Sequence, residues 1–420
     1  MRHRIGYRDT GIRCLPGIRC LPGMMAMMAL VLPPAAGLCR ARSQVYLKVY
    51  SKARGARTYF YSGGDISAIL NHAMKAAGGK PAVIYLPAGK YPVAATIEIP
   101  SGVTIRGSGP RSVLIMATGF RGRQFITNLD HARGNRDIAL DSLAIEAQKG
   151  ADGLKGPDPG LVRFENVAGL TLENLSITAD SGLYAVDLAW CVRHAEIRGC
   201  RIRNASTGGC VMARNGSPGR PCPSGRIEIT GNEVSSGSRD EPIAVFGWMG
   251  EIRDVVISGN RVAAAGASFG ITAYGAGAPG GTGRLSRAVI RDNTVTGGEN
   301  GGIAVMDGAS FVCLTGNRVS GARGDGIFID RGGRGLRRPR NIRVLDNVIA
   351  APGRYGIFAS GRRVELSGNR IRGCGAAGIF AAAATRIRAN AISGCRPAIL
   401  IAGPAGTPKK PRMPGGKEAR

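Results

Sequence analysis

The chain has 420 residues, 44% of them apolar, with 65 glycines and 5% aromatic residues. That composition excludes a disordered chain and suits an elongated molecule with many tight corners and a narrow core. The formal charge of +29 favours a polyanionic partner (nucleic acid, anionic lipid or acidic polysaccharide), although a solvated basic face in an arginine-rich chain would look the same. Arginine is spread along the chain instead of being gathered with aromatics, which argues against a nucleic-acid module.

Residues 1–41 read as a leader. Arg2, Arg4, Arg8, Arg13 and Arg19 precede an apolar run from Met24 to Leu32 and the small residues Ala35, Ala36, Gly37 and Ala41. This is the layout of a signal peptide, and the run is too short to span a bilayer. The expected location is therefore periplasmic or secreted. No Arg-Arg pair precedes the run, so a twin-arginine route has no support. Leu38 before Cys39 is a poor lipidation site, and the duplicated GIRCLPGIRCLPG leaves Met24 or Met25 as alternative starts. Residues 42–62 form an N-terminal extension.

From Gly63 to Gly79 the sequence predicts an amphipathic helix with Ile66, Ile69, Leu70, Ala73 and Met74 on one face and Asp65 as N-cap. Short strands follow in PAVIYLPAGKYPVAATIEIPSGVTIRGSGPRSVLIMA. Helix and strands together read as a cap that covers one open end of a solenoid.

From Leu143 to Asn390 one pattern keeps returning: alternating apolar residues, then Gly or Asp, Asn, a variable residue, and Val or Ile. It appears at Asn232, Asn260, Asn293, Asn317, Asn347, Asn369 and Asn390, with looser copies at Leu143, Leu175 and Cys200. About ten residues after each Asn comes a short apolar segment opened by Gly or Pro, such as PIAVF at Pro242 and GIFID at Gly326. Two period-2 strands per unit, with no long 3.6-period run, indicate an all-β, right-handed parallel β-helix solenoid of about ten or more coils spanning residues 63–402. Asn tolerates the left-handed backbone of a sharp corner and can hydrogen-bond to its copies in neighbouring coils.

Four Gly/Pro-rich insertions, at Lys149, Arg214, Gly275 and Arg331, follow corresponding points of the repeat and are expected to wall a groove on one side. Residues 403–420 form a Pro-, Gly- and Lys-rich tail with the composition of a disordered segment. Cys374 and Cys395 occupy the same place on adjacent coils, as a disulfide or as two stacked thiols.

Val83–Tyr91, Ser101–Pro110 and the GN-x-[VI] coils resemble the pectate-lyase-like right-handed β-helix superfamily over about residues 63–402. The repeat is also similar to that of twin-arginine-exported β-helix proteins, from which this leader departs. The resemblance implies the fold. It leaves open which of the superfamily's activities applies, since polysaccharide lyases, glycoside hydrolases, uronate epimerases and phage tailspikes all share it. The Asn-Thr-Asp, Asp-Asp, Gly-His-Gly and Asp-Pro-His-Asp signatures of its hydrolases and epimerases are absent, and the four histidines form no catalytic group.

If Ile243, Val245, Ile271, Ile303 and Ile327 point inward, alternation turns Asp187, Arg214, Phe246, Tyr274, Phe328, Asp330, Phe358 and Phe380 outward along one sheet. Rings for the apolar faces of sugars and polar groups for their hydroxyls make this a candidate polysaccharide face, though surface residues covered by loops would give the same pattern. Asp187, Phe246, Trp248, Phe328 and Phe358 are the candidate substrate-binding residues. Elimination or epimerisation at a uronate needs a cation for the carboxylate and a base for the ring proton. Arg214, Tyr274, Asp330 and Arg331 are the catalytic candidates, and Asp330 with Asp307 the candidate ligands of a Ca²⁺ ion; no other cofactor or metal site is indicated. The function expected is binding, with lyase or epimerase action, on an acidic polysaccharide; the alternative is a non-catalytic envelope or surface scaffold. Nucleic acid is not the expected partner, and the oligomeric state stays open.

Overall fold

A computed structural model describes residues 45–402 apart from 52–54, 62–63, 78, 148–159, 181–183, 206–207, 216–222, 276–282 and 333–335. The leader, the basic tail and the bodies of the four insertions lie outside the described residues. Every coil follows one plan, visible in the coil that begins at Ser224–Thr230, turns at Asn232, and continues through Glu233–Ser236 and Ile243–Phe246. The next coil repeats it with Glu251–Ser258, Arg261–Ala264 and Phe269–Tyr274. These strands stack in parallel register, for example Ile229 on Ile257, Val234 on Val262 and Ile243 on Ile271.

Three ladders result. The first is a sheet of 14 strands, of which the two N-terminal ones are antiparallel, leaving twelve stacked parallel strands. The second and third ladders share a sheet of 22 strands because Gly89–Ile99 and Ser112–Asn128 run through both. Inward positions of all three are apolar and buried, among them Ile227, Ile229, Val234, Ile243 and Val245. Burying such a side chain contributes about 1.5–3 kcal/mol, and each interior coil adds several, while the last coil leaves Ile399 and Ile401 exposed.

At the N-terminal end the helix Ser67–Ala76 buries Leu70, Ala73 and Met74. Asp65 acts one position earlier than expected. Ile66 is the N-cap residue and has no side-chain cap bond, while Asp65 Oδ1 accepts from the Ser67 and Ala94 backbone N–H groups at 2.9 Å each. The extension at 42–62 contains a hairpin, Val45–Ser51 with Gly55–Tyr61, that adds antiparallel to Ala82–Leu86. It covers the edge of the first ladder.

The asparagines stack as one relay. Asn260, Asn293, Asn317 and Asn347 each accept at Oδ1 from the Nδ2 of the preceding asparagine at 2.9–3.0 Å and from its backbone N–H at 2.9–3.1 Å. Asn369 and Asn390 continue it. The left-handed conformation, however, belongs to the residue before: Gly231, Gly259, Asp292, Gly316, Asp346 and Gly368 have φ between 54° and 67°. That is why Gly or Asp precedes the Asn, which is retained for its amide and not for backbone tolerance. The glycine that opens the third-ladder strands has a packing cause. A Cβ on Gly326 would lie 2.4 Å from Ile349 Cγ2, and Gly302, Gly356 and Gly378 are equally crowded by Val319, Ile371 and Ile392.

A second left-handed column interrupts the first ladder. Asp137, His194, Arg226, Asp254, Arg287, Phe311, Asn341 and Arg363 lie at φ 52–55°, one per coil, each skipped by the strand pairing around it.

Cys374 and Cys395 form a disulfide with a Cα separation of 4.8 Å, the distance between adjacent strands, so of the two arrangements the bonded one is adopted. Three of the four insertions leave the ends of third-ladder strands. The first, after Ala144–Ala147, enters the third ladder from its other edge.

Asn293→Ala removes four buried hydrogen bonds and strands the donors of Asn260. At about 1–3 kcal/mol for a buried unsatisfied donor, the expected loss is ~3 kcal/mol, read as a lower denaturation midpoint. Asn390→Ala, at the half-buried end of the relay, is expected to lose about 1 kcal/mol.

Candidate functional site

Alternation places two outward columns on the third ladder. In register, one runs Arg163, Asp187, Met212, Ala244, Thr272, Ala304, Phe328, Phe358, Phe380; the other runs Arg214, Phe246, Tyr274, Met306, Asp330. Asp187, Arg214, Phe246, Tyr274, Phe328, Asp330 and Phe358 all point away from the core as expected. Their exposure divides them into three groups.

Phe328, Phe358 and Phe380 are buried and stack ring on ring with Phe269 at 4.8–5.8 Å, with Tyr355 lying against Phe358 and Phe380. Phe328 and Phe358 are therefore a second apolar core outside the coil and not a sugar platform. Identical rings one strand apart gain more from one another than from solvent.

Asp187 is also buried, at the centre of an ion network and out of a ligand's reach. Arg163 Nη1 donates to Asp187 Oδ2 at 2.9 Å, and Arg214 donates to both carboxylate oxygens at 2.9 and 3.1 Å. Arg163 also pairs with Glu165, whose other oxygen lies 3.4 Å from His131 Nδ1. Arg214, only 11% exposed, is fixed by this bidentate pairing and does not serve as a mobile clamp for a substrate carboxylate. The network ties successive coils together beneath the face.

The accessible part of the face is aromatic. Trp248, 37% exposed, stacks on Phe246 at 6.1 Å and 10°, and Tyr274 meets Phe246 edge-on at 5.3 Å. The Tyr274 hydroxyl donates to Glu241 Oε1 at 2.7 Å. Burial raises the pKa of Glu241 above the usual carboxylate value, and burial together with Glu241 pushes Tyr274 well up. Tyr274 therefore keeps its proton and donates it in a hydrogen bond to Glu241, the opposite of a base's role. Tyr184, raised by burial with Asp240, Glu241 and Asp187 near it, belongs to the same acidic–phenolic group.

Asp330 is buried and accepts from Ser360 Oγ at 3.0 Å; Asp307 is buried in the corner and accepts from the Gly332 backbone N–H. Among the described residues no three His, Cys, Asp or Glu side chains come together. Arg331 follows Asp330 directly and is half-buried.

Glu241, Arg163 and Glu165 escaped the sequence reading. Glu241 stands two residues before Ile243, in line with Tyr184, Phe269, Asp325 and Tyr355. That register column could have been extracted from the repeat, since its side chains fold back over the outer face.

Stacked parallel ladders, closed at one corner by an asparagine relay, define a right-handed parallel β-helix. Residues 184–333 and 271–396, together more than half the chain, match the right handed beta helix region family, and the chain belongs to it. Residues 62–151 match the rhamnogalacturonase A/epimerase, pectate lyase-like family. No curated protein matches. Similar solved structures include the A-module of the Azotobacter vinelandii mannuronan C-5 epimerase AlgE4, at 16% identity and a TM-score of 0.55 over 81% of this chain and 94% of that one. A tailspike protein of the E. coli bacteriophage HK620, in complex with a pentasaccharide, is 14% identical with a TM-score of 0.58 over 81% of this chain and 63% of that one. The catalytic domain of a GH87 α-1,3-glucanase, in complex with tetrasaccharides, is 15% identical with a TM-score of 0.54 over 83% and 66%.

Asp325 gives a pH test of the buried face. Burial raises its carboxyl to about 6 against the opposing pull of Arg354, and its Oδ2 has no hydrogen-bond partner among the described residues. A raised folded-state pKa means that the native state holds a proton the unfolded state releases. Stability is therefore expected to fall by roughly 2 kcal/mol as pH rises from about 4 to about 6. Asp325→Asn should flatten that slope in denaturation midpoints measured across the window.

Proposed function

We propose that this is an exported protein that binds an acidic polysaccharide along the outer face of its third ladder. The observation that carries the reading is the Phe246–Trp248–Tyr274 cluster. Among the described residues it leaves the Trp248 ring exposed beside the outer column, and such rings suit the apolar faces of sugars. The charge of +29 favours an acidic chain over a neutral one, with Arg331 the candidate partner of its carboxylates. That the solved proteins of this fold include a mannuronan epimerase and a tailspike in complex with a pentasaccharide supports a glycan ligand.

Binding is favoured over catalysis by the state of the polar groups. Arg163 and Arg214 are spent on Asp187 and Glu165, and Tyr274 keeps its proton. Elimination and epimerisation need a free base beside a neutralised carboxylate. One observation keeps a second reading: Glu241, its pKa raised by burial, lies beside the aromatic cluster where a general acid would act.

Retention of the purified protein on alginate, polygalacturonate and glycosaminoglycan resins tests the first reading, and no retention on any of them sinks it. Trp248→Ala is expected to weaken binding about tenfold, the equivalent of ~1.4 kcal/mol. Arg331→Ala is expected to weaken it several-fold, with a shallower dependence on salt. Unsaturated products that absorb in the ultraviolet, abolished by Glu241→Gln, would replace the binding reading with the catalytic one.

A further inference from the structure

The second left-handed column contains one residue that does not fit. Seven of its non-glycine members are polar or charged, but Phe311 is aromatic and 56% exposed while held at φ 55°. A bulky residue in that conformation is destabilising, and here the ring recovers nothing by burial. Such an outlier points to a use outside the fold.

Phe311 sits where two hollows meet. One, of about 510 Å³, is lined by Phe311, Cys313, Arg343, Arg363, Glu365 and Arg386. The other, of about 480 Å³, continues past Phe311 and Cys313 to Arg287, Asp254, Glu228 and Arg226. The first ladder thus carries a shallow groove several coils long, with an aromatic ring at its middle. Arg363 and Arg386 have no ion-pair partner among the described residues. Arg287 with Asp254 (2.7 and 2.8 Å) and Arg343 with Glu365 (3.4 Å) offer paired donors and acceptors on its walls.

We infer that this groove is a second glycan site, on a different sheet from the aromatic cluster, which takes an extended acidic polysaccharide with one sugar ring stacked on Phe311 and its acid groups at Arg363 and Arg386. From the function proposed above it borrows only the class of ligand; it shares none of its residues. A single ring fits a sugar face, whereas a single-stranded nucleic acid calls for successive stacking platforms. The carboxylates of Glu228, Asp254 and Glu365 on the walls can accept hydrogen bonds from sugar hydroxyls.

The test uses the full chain and the substitution Phe311→Asn, which installs the residue that the next coil carries at Asn341, keeps the charge and suits the left-handed backbone. Affinity for alginate and polygalacturonate oligosaccharides is expected to fall about tenfold, with Tm unchanged or higher, and Arg363→Ala with Arg386→Ala should produce a comparable loss. Each single variant should leave the other site intact, and Phe311→Asn combined with Trp248→Ala should leave neither. Unchanged affinity in Phe311→Asn overturns the inference, as does a Tm lowered by several degrees, which would make Phe311 a structural residue. So does binding of poly(dT), in place of the uronates, that is lost in the same variant. Loss in Phe311→Asn but none in Trp248→Ala leaves this groove standing and removes the third-ladder reading; the reverse result removes this one.

Discussion

The asparagine relay is the constraint on which the rest of the molecule depends. A β-coil stacked on another has no intrinsic reason to choose one register, since every backbone slot offers similar hydrogen bonds, and a slip by one residue would turn each inward side chain outward. Each amide here accepts from the side chain and the backbone of the asparagine before it, so it can occupy only one height and one azimuth. Buried amides left without these partners would be costly. The relay therefore converts a repeating sequence into columns, and the columns bring residues as distant as Asp187 and Phe380 onto one face.

Much of this was legible in the sequence because it is periodic. The Asn spacing, the inward apolar pairs and the outward set from Asp187 to Phe380 all follow from alternation once the corner is located. The glycine that opens each third-ladder strand was visible as a mark, but its cause, the branched side chain of Ile349 or Val319 filling the space of a Cβ, is a packing fact that spacing does not carry. The left-handed position was assigned one residue late, because Gly-Asn and Asp-Asn are equally good turn pairs on paper.

What alternation cannot supply is cover. It states that Phe328 and Phe358 leave the core, not that Phe328, Phe358 and Phe380 in adjacent coils will prefer one another's faces to water. For the same reason Asp187 looked like a ligand-facing carboxylate until Arg163, three residues beyond a Gly/Pro-rich segment, appeared opposite it. Glu241 was hidden differently: it lies just outside the strand pattern, in the approach segment, where a period-2 reading has ended. The hairpin at 45–61 had no partner in the repeat at all.

The separations between successive asparagines in the relay range from 21 to 33 residues, yet the amides meet at the same distance throughout. Contour length between corners is thus decoupled from alignment. A scaffold of this kind can accept grafted loops or lose them without disturbing its neighbours, which makes the margin of the third ladder the place where lineages sharing this architecture are free to diverge in ligand while their cores stay interchangeable.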